Sequence, residues 1–319
     1  MKAVVIGGYG KIGTYLVPKL VNAGYDVVAV SRGVARPYKE NGAFAFVENL
    51  VLDREKLDQE GTFARKIAEL NPDIVIDLIN FKPESTYMMH EALKNTNIRQ
   101  YLFCASIWVH GHATVVPATE DLPRYPIEQY GKDKAASEAF LHKKHRLEGF
   151  PETVVCPGHI TGAGWTAINP QGNLDNSVYE IIGRGEKLIL PNMGMECLHH
   201  VHPDDVAQVF MKSIIHREQA IGETFHATAP AATTMLGLAE YMYRWFGKEP
   251  NIGFLPFDEW CKFKKDPGFI GSTTAHVMHS DNYSIEKGRR LIDYQPRYTI
   301  QDAVIENVES LIERKVIAI

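Results

Sequence analysis

Two side chains in the stretch QYGKDKAASEAF, Tyr130 and Lys134, are placed to move a proton. They are four residues apart in a helical pattern, so both project from one face, one turn apart. A phenol has a reference pKa of about 10 and is a poor base at neutral pH. A neighbouring ammonium favours the phenolate and is expected to bring it toward a working range. The spacing alone also fits an exposed surface pair. A third group changes the balance: CASIWVHG puts Ser106 at the end of a strand some two dozen residues earlier. A hydroxyl there would hold a substrate oxygen while Tyr130 exchanges its proton.

A second group of residues suits an anion rather than a proton. The chain begins MKAVVIGGYGKIGTYLVPKL, with Gly7, Gly10 and Gly13 three apart between a strand pattern and a helix pattern. Such a loop lets the backbone approach a pyrophosphate, and the helix N-terminus turns N–H groups toward it. Gly8 is not required by the spacing. The second strand, DVVAVSRG, ends in Ser31 and Arg32 where NAD-binding chains carry a carboxylate for the ribose. A guanidinium with no carboxylate beside it favours the 2′-phosphate of NADP. Stacking of Arg32 on the adenine of NAD is the alternative.

These groups need a scaffold, and the hydrophobic rhythm supplies one. KAVVIGG, YDVVAVS, AFAFVENLVLD, PDIVIDLIN, QYLFCAS and ETVVCPG read as buried strands, with helices over TYLVPKLVNAG, TFARKIAELN, TYMMHEALKN and KDKAASEAFLHKKH between them. The alternation predicts an α/β fold, a doubly wound parallel sheet with ligands at the carboxyl ends of its strands. After about residue 160 the rhythm breaks. Residues 1–160 are read as a dinucleotide-binding domain of Rossmann type and 161–319 as a smaller C-terminal substrate-binding lobe, with a segment around 196–216 returning to the first. The stretch IQDAVIENVESLIERK reads as a closing amphipathic helix.

Composition narrows the partners. The 319 residues carry a net charge of −5, which offers no basic face for nucleic acid or an acidic membrane. No apolar run approaches the ~20 residues of a membrane span. Met1 leads straight into a strand, so no secretory leader is expected, and Cys104, Cys156, Cys197 and Cys261 lack paired spacing. Reduced thiols in a cytoplasmic protein follow. His199, His200 and His202 in HHVH raise a metal site, with His200 and His202 on one strand face. No third ligand of suitable spacing follows, and no metal is expected.

Taken together, GGYGKIG, CASIWVHG, YGKDK and CPGHITGAG stand in the order and approximate spacing of the short-chain dehydrogenase/reductase superfamily. The chain resembles its extended branch, the NAD-dependent epimerase/dehydratase family. HVHPDDVAQVF and DYQPRYTIQDAV resemble later segments of that family. The resemblance implies that Ser106, Tyr130 and Lys134 are catalytic, with Lys134 also on the nicotinamide ribose. It implies cofactor contacts from Gly7, Gly10, Lys11, Ile12 and Gly13 in the first loop, from Ser31, Arg32 and Asp53 near the adenosine, from Leu78 and Lys82 near the ribose, and from Pro157 and Ile160 beside the nicotinamide. A homodimer through the helices bearing TYMMHEAL and KDKAASEAF is also implied.

Departures from the family pattern narrow the chemistry. Sugar-nucleotide dehydratases resemble one another in an Asp-Glu pair after the serine position, where this chain has Ile107 and Trp108. Nucleotide-sugar epimerases usually carry an Arg-Asp pair before the late V-H segment, where it has Leu198 and His199. Arg184 is a possible substitute for the missing clamp. Trp108 and Trp165 are candidate walls of the substrate site, and His159 a candidate substrate contact. The expected function is an NAD(P)-dependent oxidoreductase of a sugar-like or small carbonyl substrate, NADP favoured over NAD. The alternatives are a sugar epimerase with tightly held NAD, and a non-catalytic nucleotide- or RNA-binding relative.

Overall fold

The computed structural model describes residues 1–112, 114–280 and 282–319. Strands β1 (Lys2–Ile6), β2 (Asp26–Ser31), β3 (Glu48–Val51), β4 (Ile74–Asp77), β5 (Gln100–Cys104) and β6 (Glu152–Pro157) alternate with helices α1 (Gly13–Asn22), α2 (Arg54–Gln59), α3 (Phe63–Ala68), α4 (Pro83–Leu93) and α5 (Gln129–Glu148). With β11 (Thr224–Ala227) these strands form one parallel seven-stranded sheet in the order β11-β6-β5-β4-β1-β2-β3. This is a Rossmann-type α/β fold, and strand order reverses between β1 and β4, where such sheets open a crevice.

The period-two pattern decides which side chain meets which helix layer. Ala3, Val5, Ile74 and Ile76 face a cluster with Leu16, Val17, Leu20, Val206 and Phe210. Val4, Ile6 and Val75 face the opposite cluster, with Phe63, Met89, Leu93 and Leu141. Leu16, Val17 and Leu20 are fully buried, each contributing about 1.5–3 kcal/mol. A Cβ on Gly13 would lie 2.3 Å from the Gly8 carbonyl oxygen, so only glycine lets α1 rest on the loop. Gly8 proves equally confined: a Cβ there would meet that of Ala29 at 2.8 Å. It is required by packing, contrary to the expectation from spacing.

The AFAFVENLVLD run divides. Asn41 accepts a hydrogen bond from the Ala43 N–H and starts a 3₁₀ turn over Gly42–Phe46, leaving only residues 48–51 as strand.

Later elements are β7 (His159–Ile160), α6 (Ser177–Gly183), β8 (Leu188–Pro191), β9 (Cys197–Leu198), β10 (His200–Val201), α7 (Pro203–Ile215), α8 (Arg217–Ala220), β11 (Thr224–Ala227), β12 (Thr233–Thr234), α9 (Met235–Trp245), β13 (Ile252–Leu255), α10 (Phe257–Lys264), α11 (Pro267–Met278), α12 (Glu286–Ile292) and α13 (Ile300–Glu313). A third apolar cluster gathers Val178, Tyr179, Leu190, Met235, Met242 and Val304. The return to the sheet is longer than the 196–216 read from pattern. Helix α7 packs on α1, β11 adds the edge strand beside β6, and Ile285, Ile292 and Tyr294 join the first cluster. Four residues of β11 are too few to show a period. No helix among the described residues is long and apolar enough to cross a membrane.

Candidate active site

Beyond the C-terminal ends of β1 and β2 lies a cavity of 820 Å³. Gly7, Gly10, Ser31, Arg32, Asp53 and Lys82, named above from the resemblance, line it. Helix α1 enters without a side-chain cap at Ile12. The N–H groups of Lys11, Ile12 and Gly13 carry no hydrogen bond to the described residues. Orphan donors at a helix start beside a cavity of this size suit a pyrophosphate. Asp53 also caps α2 by accepting from the Lys56 N–H at 3.2 Å. The Ser31 hydroxyl accepts from the Gly33 N–H at 3.1 Å.

Other expected contacts lie off this wall. The Lys11 ammonium sits 4.8 Å from the Trp165 ring, and its pKa is lowered by burial. Ile12 and Leu78 are packed in the first apolar cluster. Gly13 is covered by the Gly7–Gly8 backbone. Pro157 and Ile160 stand at the end of β6 and on β7. Sequence reasoning missed the apolar and ionic walls, among them Tyr9, Ile79, Phe81 and Arg54. Arg54 makes two bonds to Asp77, at 2.5 and 3.1 Å. Burial opposes its charge, but Asp77 outweighs burial and raises the guanidinium pKa. The signal for Arg54 was adjacency to Asp53.

The three expected catalytic residues converge. Tyr130 opens α5 and Lys134 follows one turn on. A Cβ on Gly131 would meet the Trp108 carbonyl oxygen at 2.6 Å, so this glycine lets the helix start press against the loop bearing Ser106. The Ser106 hydroxyl accepts from the Trp108 N–H at 3.2 Å and stands close enough to Tyr130 to lower its pKa. The Lys134 ammonium donates to the carbonyls of Asn80 and Cys104, both at 2.6 Å, and lies 5.7 Å from the Tyr130 ring. It is also 4.8 Å from Phe81, which lines the cavity.

The ammonium alone does not bring the phenol down. Burial, and next Cys104, push the Tyr130 phenol up to about 12, against the lowering by Ser106. The Lys134 ammonium, its own pKa lowered by burial, is engaged by carbonyls. The phenol is therefore a proton donor at neutral pH.

Trp108 links Tyr130 to a group of imidazoles. Trp108 lies edge-on to Tyr130 at 6.1 Å and to His159 at 6.3 Å, and stacks on His279 at 4.5 Å. His159 lies 4.7 Å from His276 and 5.7 Å from His200. Burial is the main cause that holds His159 far below the usual range, His200 at about 3 and His276 at about 4. Trp165 instead bonds the Ile160 carbonyl and packs on Tyr38.

The expected shared face of His200 and His202 is absent, because the strand ends at Val201 and His202 caps α7. His199 donates to the Ala229 carbonyl, His200 pairs with Thr161, and His202 with Glu306. Among the described residues no group of three His, Cys, Asp or Glu is arranged to hold a metal ion. Arg184, at the end of α6, bonds Glu186.

Fold and cavity together define a nucleotide-binding protein of the extended short-chain dehydrogenase/reductase kind. Residues 3–227 match the model of the NAD dependent epimerase/dehydratase family. The chain belongs to that family and is an enzyme of the short-chain dehydrogenase/reductase type. It is 22% identical to the chloroplast stem-loop binding protein of 41 kDa b of Arabidopsis thaliana, over 96% of this chain and 78% of that one. It is 23% identical to the 2'-dehydrokanamycin reductase of Streptomyces kanamyceticus, over 86% and 75%. The crystal structure of UDP-glucose 4-epimerase with UDP-glucose from Thermotoga maritima shares the fold, with a TM-score of 0.75 and 19% identity over 99% of this chain and 100% of that one.

Proposed function

We propose that the protein is an NAD(P)-dependent oxidoreductase that reduces a carbonyl, or oxidises the matching carbinol, with Tyr130 as acid and base. The observation that carries this reading is the cluster of Ser106, Tyr130 and Lys134. It is tied through Lys134 and Phe81 to the cavity wall. The bound nicotinamide supplies or accepts the hydride. In the reducing direction the Tyr130 hydroxyl gives its proton to the nascent alkoxide, while Ser106 holds that oxygen. A phenol with a pKa of about 12 holds its proton until an alkoxide of higher basicity forms beside it. Lys134 keeps the carboxyl ends of β4 and β5 in register with α5 and offers its charge to the phenolate left behind.

Gly7 and Gly10, with the free N–H groups of α1, would hold the pyrophosphate. Ser31 and Arg32 would meet the adenosine ribose. Of the two arginines that line the cavity, Arg54 is committed to Asp77, and Arg32 is open to a 2′-phosphate, which supports NADP over NAD. Residues from about 161 onward would supply the substrate side. A sugar epimerase with retained NAD is the second reading, supported by family membership.

The test is steady-state kinetics with titrated cofactor. Tyr130→Phe is expected to lower turnover by about 10²–10⁴ with cofactor affinity nearly unchanged; an unaltered rate removes Tyr130 from the mechanism. Arg32→Ala is expected to weaken NADP by about tenfold and NAD far less. Equal losses would end the NADP preference. Nucleotide retained through purification, with no net oxidation of added NADPH, would favour the epimerase.

A further inference from the structure

His159 is partly exposed, and no hydrogen bond joins its ring to the described residues. It lies on β7, two residues past the end of β6 at Pro157, edge-on to Trp108, the same indole that faces the Tyr130 ring. Behind it, His200 is fully buried and its Nε2 has no partner. His276 and His279, from α11 and its end, close the far side against Trp108.

Charge decides what such a pocket admits. Among the described residues no arginine or lysine other than Lys134 is paired with, bonded to or stacked on Trp108, Tyr130, His159, His276 or His279. Lys134 is 1% exposed and bound by two carbonyls. The acidic Glu128 approaches His279 at 3.3 Å. A diphosphate or a carboxylate would find no cation here, and transfer of either from water would go uncompensated. Uncharged imidazoles, each with one donor and one acceptor, match alcohols and carbonyls. An indole plane suits the apolar face of a ring that carries them.

Resting on the oxidoreductase reading above, we propose that the substrate is an uncharged polyhydroxylated carbonyl or carbinol rather than a nucleotide sugar, and that His159 hydrogen-bonds it and sets specificity. The carbonyl or carbinol carbon lies against Tyr130 and Ser106. A hydroxyl two or three atoms away meets the free ring nitrogen of His159.

The experiment is isothermal titration of the protein saturated with NADP, using D-galactose, myo-inositol and UDP-glucose as probes. At least one free polyol is expected to bind more tightly than UDP-glucose. His159→Leu should weaken that binding by about tenfold, His159→Gln should recover most of it, and NADP binding should be unaltered in both. Three results would overturn the inference: tighter binding of UDP-glucose, no binding of either polyol, or full polyol affinity in His159→Leu. Titrations of NADP and of NAD come first. If neither binds, the oxidoreductase reading fails, and the same probes titrated onto the cofactor-free protein still decide the substrate class.

Discussion

Histidines near the two ends of β6 differ in charge. Past its carboxyl end, His159, His200 and His276 are held neutral, chiefly by burial. At its start, beside Glu152, His142 of α5 is held up at about 9. Burial alone would push it down, but Glu138 and Glu152 outweigh burial. Its Nδ1 donates to Glu152 at 2.7 Å and its Nε2 to Thr224 at 2.9 Å, and Thr224 donates on to Glu138 at 2.6 Å. Arg124 completes the network with two bonds to Glu138 at 2.7 and 2.9 Å. The same side chain is thus a cation where carboxylates surround it and a neutral ligand where they are missing. The network ties α5 to β6 and β11 as a structural anchor. The cleft keeps its imidazoles uncharged and available.

Removing the carboxylate on the anchored side should have the largest effect. Glu138→Gln leaves Arg124 and His142 without their shared anion and should cost about 3–5 kcal/mol in denaturant unfolding at pH 7. A loss below 1 kcal/mol would mean that the network does not hold the edge of the sheet. His142→Gln comes next and is read in its pH profile. A folded-state pKa raised to about 9 gives stability that is complete below about 6.5 and lost as pH rises through 9. The parent should lose about 3 kcal/mol across that window, and His142→Gln should show a flatter curve. The smallest effect is expected in the cleft. His276, at about 4, binds its proton more readily when unfolded, so stability falls as pH drops from 6.5 toward 4. His276→Gln should remove up to one proton of that slope, about 1.4 kcal/mol per pH unit, and leave stability at pH 8 within about 1 kcal/mol of the parent. A slope unchanged by the substitution would show that His276 is charged in the folded protein.

How much of this was legible depended on whether the chemistry had a spacing. The loop of Gly7, Gly10 and Gly13 was readable because backbone approach to a ligand demands glycine at set intervals. Tyr130 and Lys134 were readable because a helix fixes what four residues apart means. The sheet followed from runs such as VVIG and VVAV, whose alternate residues feed two helix layers. Tyr9, Ile79 and Phe81 were not legible as cavity walls, since an apolar side chain looks the same in a core and in a binding surface. His276 and His279 reach the site from a helix more than a hundred residues beyond Tyr130, and no local pattern marks that contact. The weak hold of Lys134 on the phenol was hidden for a related reason. A neighbouring lysine can be read from spacing, but the carbonyls of Asn80 and Cys104 that engage it belong to strand ends brought there by the sheet.

That engagement has a mechanical consequence. One ammonium fastens the ends of two neighbouring strands to the helix that carries the acid, and Phe81 follows immediately after the residue it grips. The cavity wall at Phe81 and the start of the helix bearing the phenol therefore share one anchor.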